Sequence, residues 1–170
     1  MSNIAAQRVS AGAKFLDSVH YTWANKVDIA KLAMQDGESC IVGQLYNGYE
    51  TGLSRLGISS TKAMSYGFED ESYEVTYTAL TAAWKAHLTV KPGKYIGKMT
   101  SKAITVHDAF RVVDKNYVVY ANDTHPNDPI MVSLNDFLGS YEPENAAKDW
   151  RVGQILKATT GNLFMYAGEQ

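Results

Sequence analysis

The sequence predicts an α+β fold, with helices up to about residue 90 and a small antiparallel sheet after it. Apolar residues before Val90-Lys91-Pro92-Gly93 recur every three or four positions, whereas much of the chain beyond Gly93 alternates at period two. The chain has 170 residues, 45% of them apolar and 20% charged, enough for one core or two small ones. The expectation is therefore a helical module of four or five helices over residues 1–90, then a small antiparallel β module with one short helix over residues 91–170.

In the first module, Ser2 or Asn3 can cap a helix whose Ala5, Val9, Gly12 or Ala13, Leu16 and Val19 form one apolar face. Trp23, Val27, Ala30 and Met34 keep the same spacing and predict a second helix that Asp36-Gly37 ends. After Ser39, the run Val42, Leu45, Tyr46, Tyr49, Leu53 and Leu56 predicts one central helix stopped by Gly57, its stripe packed against Leu16, Leu80 and Trp84. Ser59 or Ser60 can cap a short helix that Gly67 ends. A further long helix is expected from near Asp70, where Glu69, Glu71 and Glu74 suit the positive end of a helix dipole and Tyr73, Tyr77, Leu80, Trp84 and Leu88 face inward.

In the second module, Lys94–Ile96, Ala103–Val106, Ala109–Val113 and Tyr117–Ala121 read as strands, with Asp114-Lys115-Asn116 as the turn between the last two. Asn122–Pro129 reads as a loop and Ile130–Val132 as a short strand. Ser133-Leu134-Asn135-Asp136 has capping-box spacing and predicts a helix start. Val152–Ala158 and Leu163–Tyr166 fit a second hairpin around Thr160-Gly161-Asn162, with a helix over Ala146–Ala158 as the alternative.

Composition narrows function by exclusion. One cysteine supports neither an internal disulfide nor a multi-thiolate zinc site. The first residues lack a basic segment followed by an apolar one, and no window reaches the roughly 18 apolar residues of a membrane span, so a cytoplasmic protein without membrane contact is expected. P-loop, dinucleotide-binding, zinc-protease and nucleophile-elbow signatures are absent; no cofactor is expected, and an enzyme is less expected than a binding protein.

Three constellations carry chemistry. Cys40 falls at the start of the central helix, where unpaired amides and the dipole would stabilise a thiolate, making it the candidate catalytic residue; a buried packing cysteine is the more common outcome. Residues 1–74, 75–107 and 108–170 carry net charges of −3, +5 and −4, and the basic stretch Lys85, Lys91, Lys94, Lys98 and Lys102 has the charge to contact nucleic acid or an acidic partner. It contains no arginine, which favours a solvated linker. Asp123, His125 and Asp128 place three possible metal ligands on one loop, although the same residue types build a plain turn. Eleven tyrosines fit either the rim of a core or an interaction surface.

Trp23, Asp28, Leu32, Asp36-Gly37, the block Cys40-Ile41-Val42-Gly43-Gln44-Leu45-Tyr46, Tyr49, Gly52, Leu56-Gly57, Gly67-Phe68 and Leu80-Thr81-Ala82-Ala83-Trp84 resemble a group of small uncharacterised proteins of actinobacteria and their bacteriophages. The resemblance spans roughly residues 8–88 and brings no catalytic residue with it. It implies a phage or bacterial cytoplasmic origin. With the missing catalytic signatures and abundant tyrosine, it leads to the expectation of a phage-encoded accessory protein that binds a host or phage protein, with nucleic acid as another possible partner.

Overall fold

The computed structural model describes residues 3–70 and 74–144 in full, together with the backbone of Ile155–Lys157 and Leu163–Met165. The fold is α+β. Helix α1 (Ile4–Val19) starts where Asn3 accepts the Ala6 N–H and buries Ala5, Val9, Gly12, Ala13 and Leu16, the face expected from its spacing except for Val19, which lies exposed at the last turn. Helices α2 (Trp23–Lys26), α3 (Ile41–Tyr46), α4 (Tyr49–Leu56), α5 (Ser60–Ser65) and α6 (Tyr77–Leu88) complete the helical part. The predicted second hairpin is present in backbone as two antiparallel strands, Ile155–Lys157 and Leu163–Met165.

Three predicted helices require correction. The segment from Trp23 to Met34 is helical only to Lys26, because Val27 is extended and the Gln44 side chain accepts the Asp28 N–H at 2.7 Å, diverting that amide from a helical partner; a 3-10 turn at Ile29–Lys31 follows. The predicted central helix is two helices meeting at a corner, with Asn47 left-handed (φ 58°) and Gly48 at φ 131°, a conformation that favours glycine. Gly52 then lies so close to the Val42 side chain that a Cβ would collide with it. Closest helix pairings are therefore α1 with α6 and α3 with α4, and Leu45 and Tyr49 are half-buried rather than central. The last long helix starts at Tyr77, capped by Thr76, instead of near Asp70; Asp70 is buried, accepts the Val75 N–H at 3.0 Å and pairs with Arg8. The predicted inward position of Tyr73 lies outside the described residues.

The sheet has the order β4-β3-β2-β1-β5 and is antiparallel throughout. Its strands are β1 (Gly93–Gly97), β2 (Ala103–Val112), β3 (Lys115–Asn122), β4 (Ile130–Ser133) and β5 (Tyr141–Pro143). Helix α7 (Leu134–Ser140), capped by Ser133, lies between β4 and β5. The two predicted runs around His107 form one strand, since a bulge between Val106 and Asp108 absorbs the change of register. The turn is also corrected: Val113 (φ 49°) and Asp114 (φ 61°) form a two-residue hairpin loop, and Asn116 belongs to β3 and is buried. Strand β5 was not expected from the sequence, where Tyr141-Glu142-Pro143 offers little alternation; it pairs with β1.

The change from helix to strand falls between Leu88 and Gly93, and one buried cluster runs across it from Ala5 through Trp23, Val42, Phe68 and Trp84 to Ile104, Val118, Leu134 and Phe137. Trp23 and Trp84 meet edge to face at 5.7 Å, and Trp84 stacks on Phe68 at 5.9 Å. Both indole N–H groups are satisfied, from Trp23 to Asp17 and from Trp84 to the Gly67 carbonyl, each at 2.7 Å.

Candidate functional site

A cleft of about 810 Å³ opens where the helices meet the sheet. One wall is the α1 face carrying Ser10, Ala13, Lys14 and Asp17, residues three and four apart that a helix places in a column. The floor comes from Tyr21, Trp23 and Ala24, and the opposite wall from α7 and β5, with Asn135, Asp136, Ser140, Tyr141 and Glu142. His87 at the end of α6 and Lys98 after β1 also line it.

The walls are held in register by hydrogen bonds. Asn135 Oδ1 accepts the Ala24 N–H at 2.7 Å, and Asn25 Oδ1 accepts the Asn135 N–H at 2.7 Å. Across the rim, Tyr21 donates its hydroxyl to Asp136 at 3.1 Å, which raises the tyrosine pKa. The Lys98 ammonium donates to the Leu138 carbonyl at 2.7 Å.

Within this frame His87 stands apart. Its ring lies near parallel to Trp23 (6.3 Å between centroids, 19° between planes) and edge-on to Trp84, yet the residue stays open to solvent. Desolvation by the surrounding walls lowers its pKa; the Lys98 charge adds to that and Asp17 opposes it. The direction of the shift favours the neutral imidazole. Among the described residues no group hydrogen-bonds its nitrogens, so His87 offers one donor and one acceptor to a bound molecule. Lys14 and Glu142 add charge of both signs on opposite walls.

The residues singled out from sequence are placed elsewhere, apart from Lys98. Cys40 is 1% exposed and caps α3, its Sγ accepting the Gly43 N–H at 3.2 Å; burial pushes the thiol pKa up, against the direction an activated nucleophile needs. The five lysines differ in their partners and exposure. Lys94 bonds Asp123 at 2.9 Å and Thr105 at 2.7 Å, Lys98 turns to the cleft, Lys102 is exposed in the turn after β1, and Lys85 sits half-buried on α6. Lys91 is fixed through its backbone, with its N–H donating to the Tyr95 hydroxyl at 3.2 Å and its carbonyl accepting from that hydroxyl at 3.1 Å.

In the polar loop, Asp123 is committed to Lys94 and Thr105, and the Lys94 ammonium holds its carboxyl below the usual range. His125 bonds the neighbouring Thr124 hydroxyl at 2.9 Å, and Asp128 donates its N–H to the His125 carbonyl at 3.2 Å, which closes a turn. Among the described residues, no group of three or more His, Cys, Asp or Glu is placed to hold a metal ion. No helix among them is long and apolar enough to cross a membrane.

Sequence reading missed the cleft because its members come from five separate stretches of chain. Comparison with protein-family models, curated proteins and solved structures finds no match.

Proposed function

We propose that this chain is a phage-encoded accessory protein that acts in the cytoplasm as a non-enzymatic binding module, taking a segment of a host or phage protein into the cleft between α1 and α7–β5. The observation that carries this reading is the cleft itself, about 810 Å³, with an imidazole on its wall that has no hydrogen-bond partner among the described residues and side chains of both charges around it. Its size suits a few residues of extended chain, and mixed hydrogen-bonding groups suit a peptide better than a uniformly charged polymer. The buried, capping position of Cys40 supports a packing role over a cysteine-dependent enzyme. Lys94 and Lys98 are already engaged, by Asp123 and by the Leu138 carbonyl, which weighs against a role for them in binding phosphates.

The test is photo-crosslinking in expressing or infected cells. A crosslinking residue at Ser140, in the cleft, should give a discrete adduct with one protein, whereas the same residue at Lys62 on α5 should not. Equal adducts from both positions, or adducts with nucleic acid alone, would reject the reading.

A further inference from the structure

We infer that a second, smaller cavity, separate from the cleft, is a binding site for a small apolar carboxylate whose anionic end is held by Arg111. The cavity measures about 260 Å³, and its walls include Leu88, Val90, Phe110, Tyr117 and Leu134. It is open to solvent on one side, and at roughly 30 Å³ of liquid volume per water it holds the equivalent of about nine waters. A phenyl ring carrying a short chain is the matching size.

The charge on its wall defines the polar end of the ligand. Arg111 is half-buried and lines this cavity; it also borders a polar hollow lined by Glu38 and Asp114, neither of which pairs with it. Its Nη1 donates to the Val27 carbonyl at 3.2 Å and to Asn116 Oδ1 at 3.1 Å, and its Nη2 donates to the Lys26 carbonyl at 3.1 Å. All three acceptors are neutral. Nε–H and one Nη2 hydrogen remain without a partner among the described residues, and no carboxylate there pairs with this guanidinium. The one carboxylate lining the cavity, Asp28, is already engaged by the Ala30 N–H at 3.2 Å and by Lys31 at 3.6 Å. A half-buried guanidinium gains most from a carboxylate, which matches its planar fork and compensates its desolvation. Apolar walls plus an uncompensated fork thus select an amphipathic anion.

The experiment is an NMR titration of the full chain with 3-phenylpropionate, with 3-phenylpropionamide and acetate in parallel. Saturable shifts in the Leu88, Val90 and Leu134 methyls are expected from the carboxylate, with binding of the amide weaker by about tenfold or more because the charge-assisted contact is lost. Acetate, lacking the apolar body, should give none. Arg111→Gln should weaken the carboxylate to the level of the amide, and Arg111→Lys, which keeps the charge without the fork, should fall between. Because Arg111 also ties down the Lys26 and Val27 carbonyls, Ala109→Leu provides an independent variant that fills the cavity and leaves the guanidinium in place; it should abolish binding. No saturable shifts with the parent chain, equal binding of acid and amide, or parent-like binding by Ala109→Leu would each overturn the inference. Should either variant fail to fold, the acid-against-amide comparison on the parent decides.

Discussion

Asn25 and Asn135 join α2 to α7 by a reciprocal clip: Asn25 Oδ1 accepts the Asn135 N–H at 2.7 Å, and Asn135 Oδ1 accepts the neighbouring Ala24 N–H, also at 2.7 Å. Each side chain satisfies a backbone donor on the other's segment, close to the floor of the cleft. Asn116 reinforces the joint from β3 by donating to the Ala24 and Val27 carbonyls at 2.8 and 2.7 Å.

Removing either amide leaves a poorly solvated N–H without its acceptor. Asn25→Ala and Asn135→Ala should each cost about 1–3 kcal/mol by urea unfolding. The double variant should fall short of the sum by about 0.5 kcal/mol or more, since either loss loosens the same joint. Strict additivity would mean that the two bonds act independently.

Val113 is a β-branched residue at φ 49°, 89% exposed, in a two-residue hairpin loop. Left-handed backbone costs most residues about 1–2 kcal/mol and asparagine less, so Val113→Asn should stabilise the chain by about 1 kcal/mol. A fall in the thermal midpoint would show that the loop does not adopt this conformation.

Leu16 is fully buried while Leu45 is half-buried at the corner between α3 and α4. Leu16→Ala should cost about 2–5 kcal/mol, and Leu45→Ala clearly less. Equal costs in matched denaturation curves would restore the continuous central helix that the sequence suggests.

Desolvation by neighbouring groups lowers the pKa of both His87 and His20, with Lys98 and Lys26 respectively adding to it. The unfolded chain then takes up these protons first as pH falls below about 6.5, so stability is full above that value and declines toward the lower folded pKa values. His87→Gln should flatten part of the decline between neutral pH and about pH 5, and NMR should place the His87 midpoint below the ordinary value of about 6.5. A midpoint above it would mean that Asp17 outweighs the desolvation.

The fold was legible where one periodicity extended over a whole element. Helix α1 has its buried face and cap because Ala5, Val9, Ala13 and Leu16 repeat without interruption. The central stripe misled because Tyr46 and Tyr49 keep helical spacing across Asn47-Gly48, and periodicity does not register a left-handed residue between two helices. Asp70 misled in another way: an acidic group beside a helix is favourable at its N-terminus, but here it answers to Arg8, 62 positions away. The cleft was not legible at all, since neighbours such as Asp17, His87 and Glu142 become a site only through tertiary packing.

The most direct measurement of the central claim compares what the protein retains from cells when its cleft is altered. The parent, the cleft variant Lys14→Glu/Glu142→Lys and the control Lys115→Glu, whose site lies outside the cleft, are each purified by affinity and their bound proteins quantified by mass spectrometry. Exchanging the two charges keeps the net charge and leaves the clip at Asn25 and Asn135 untouched. A protein retained by the parent and by Lys115→Glu but lost from the cleft variant, with unchanged thermal midpoints, is the predicted result. Retention of the same protein by all three would contradict the assignment of the cleft as the binding site.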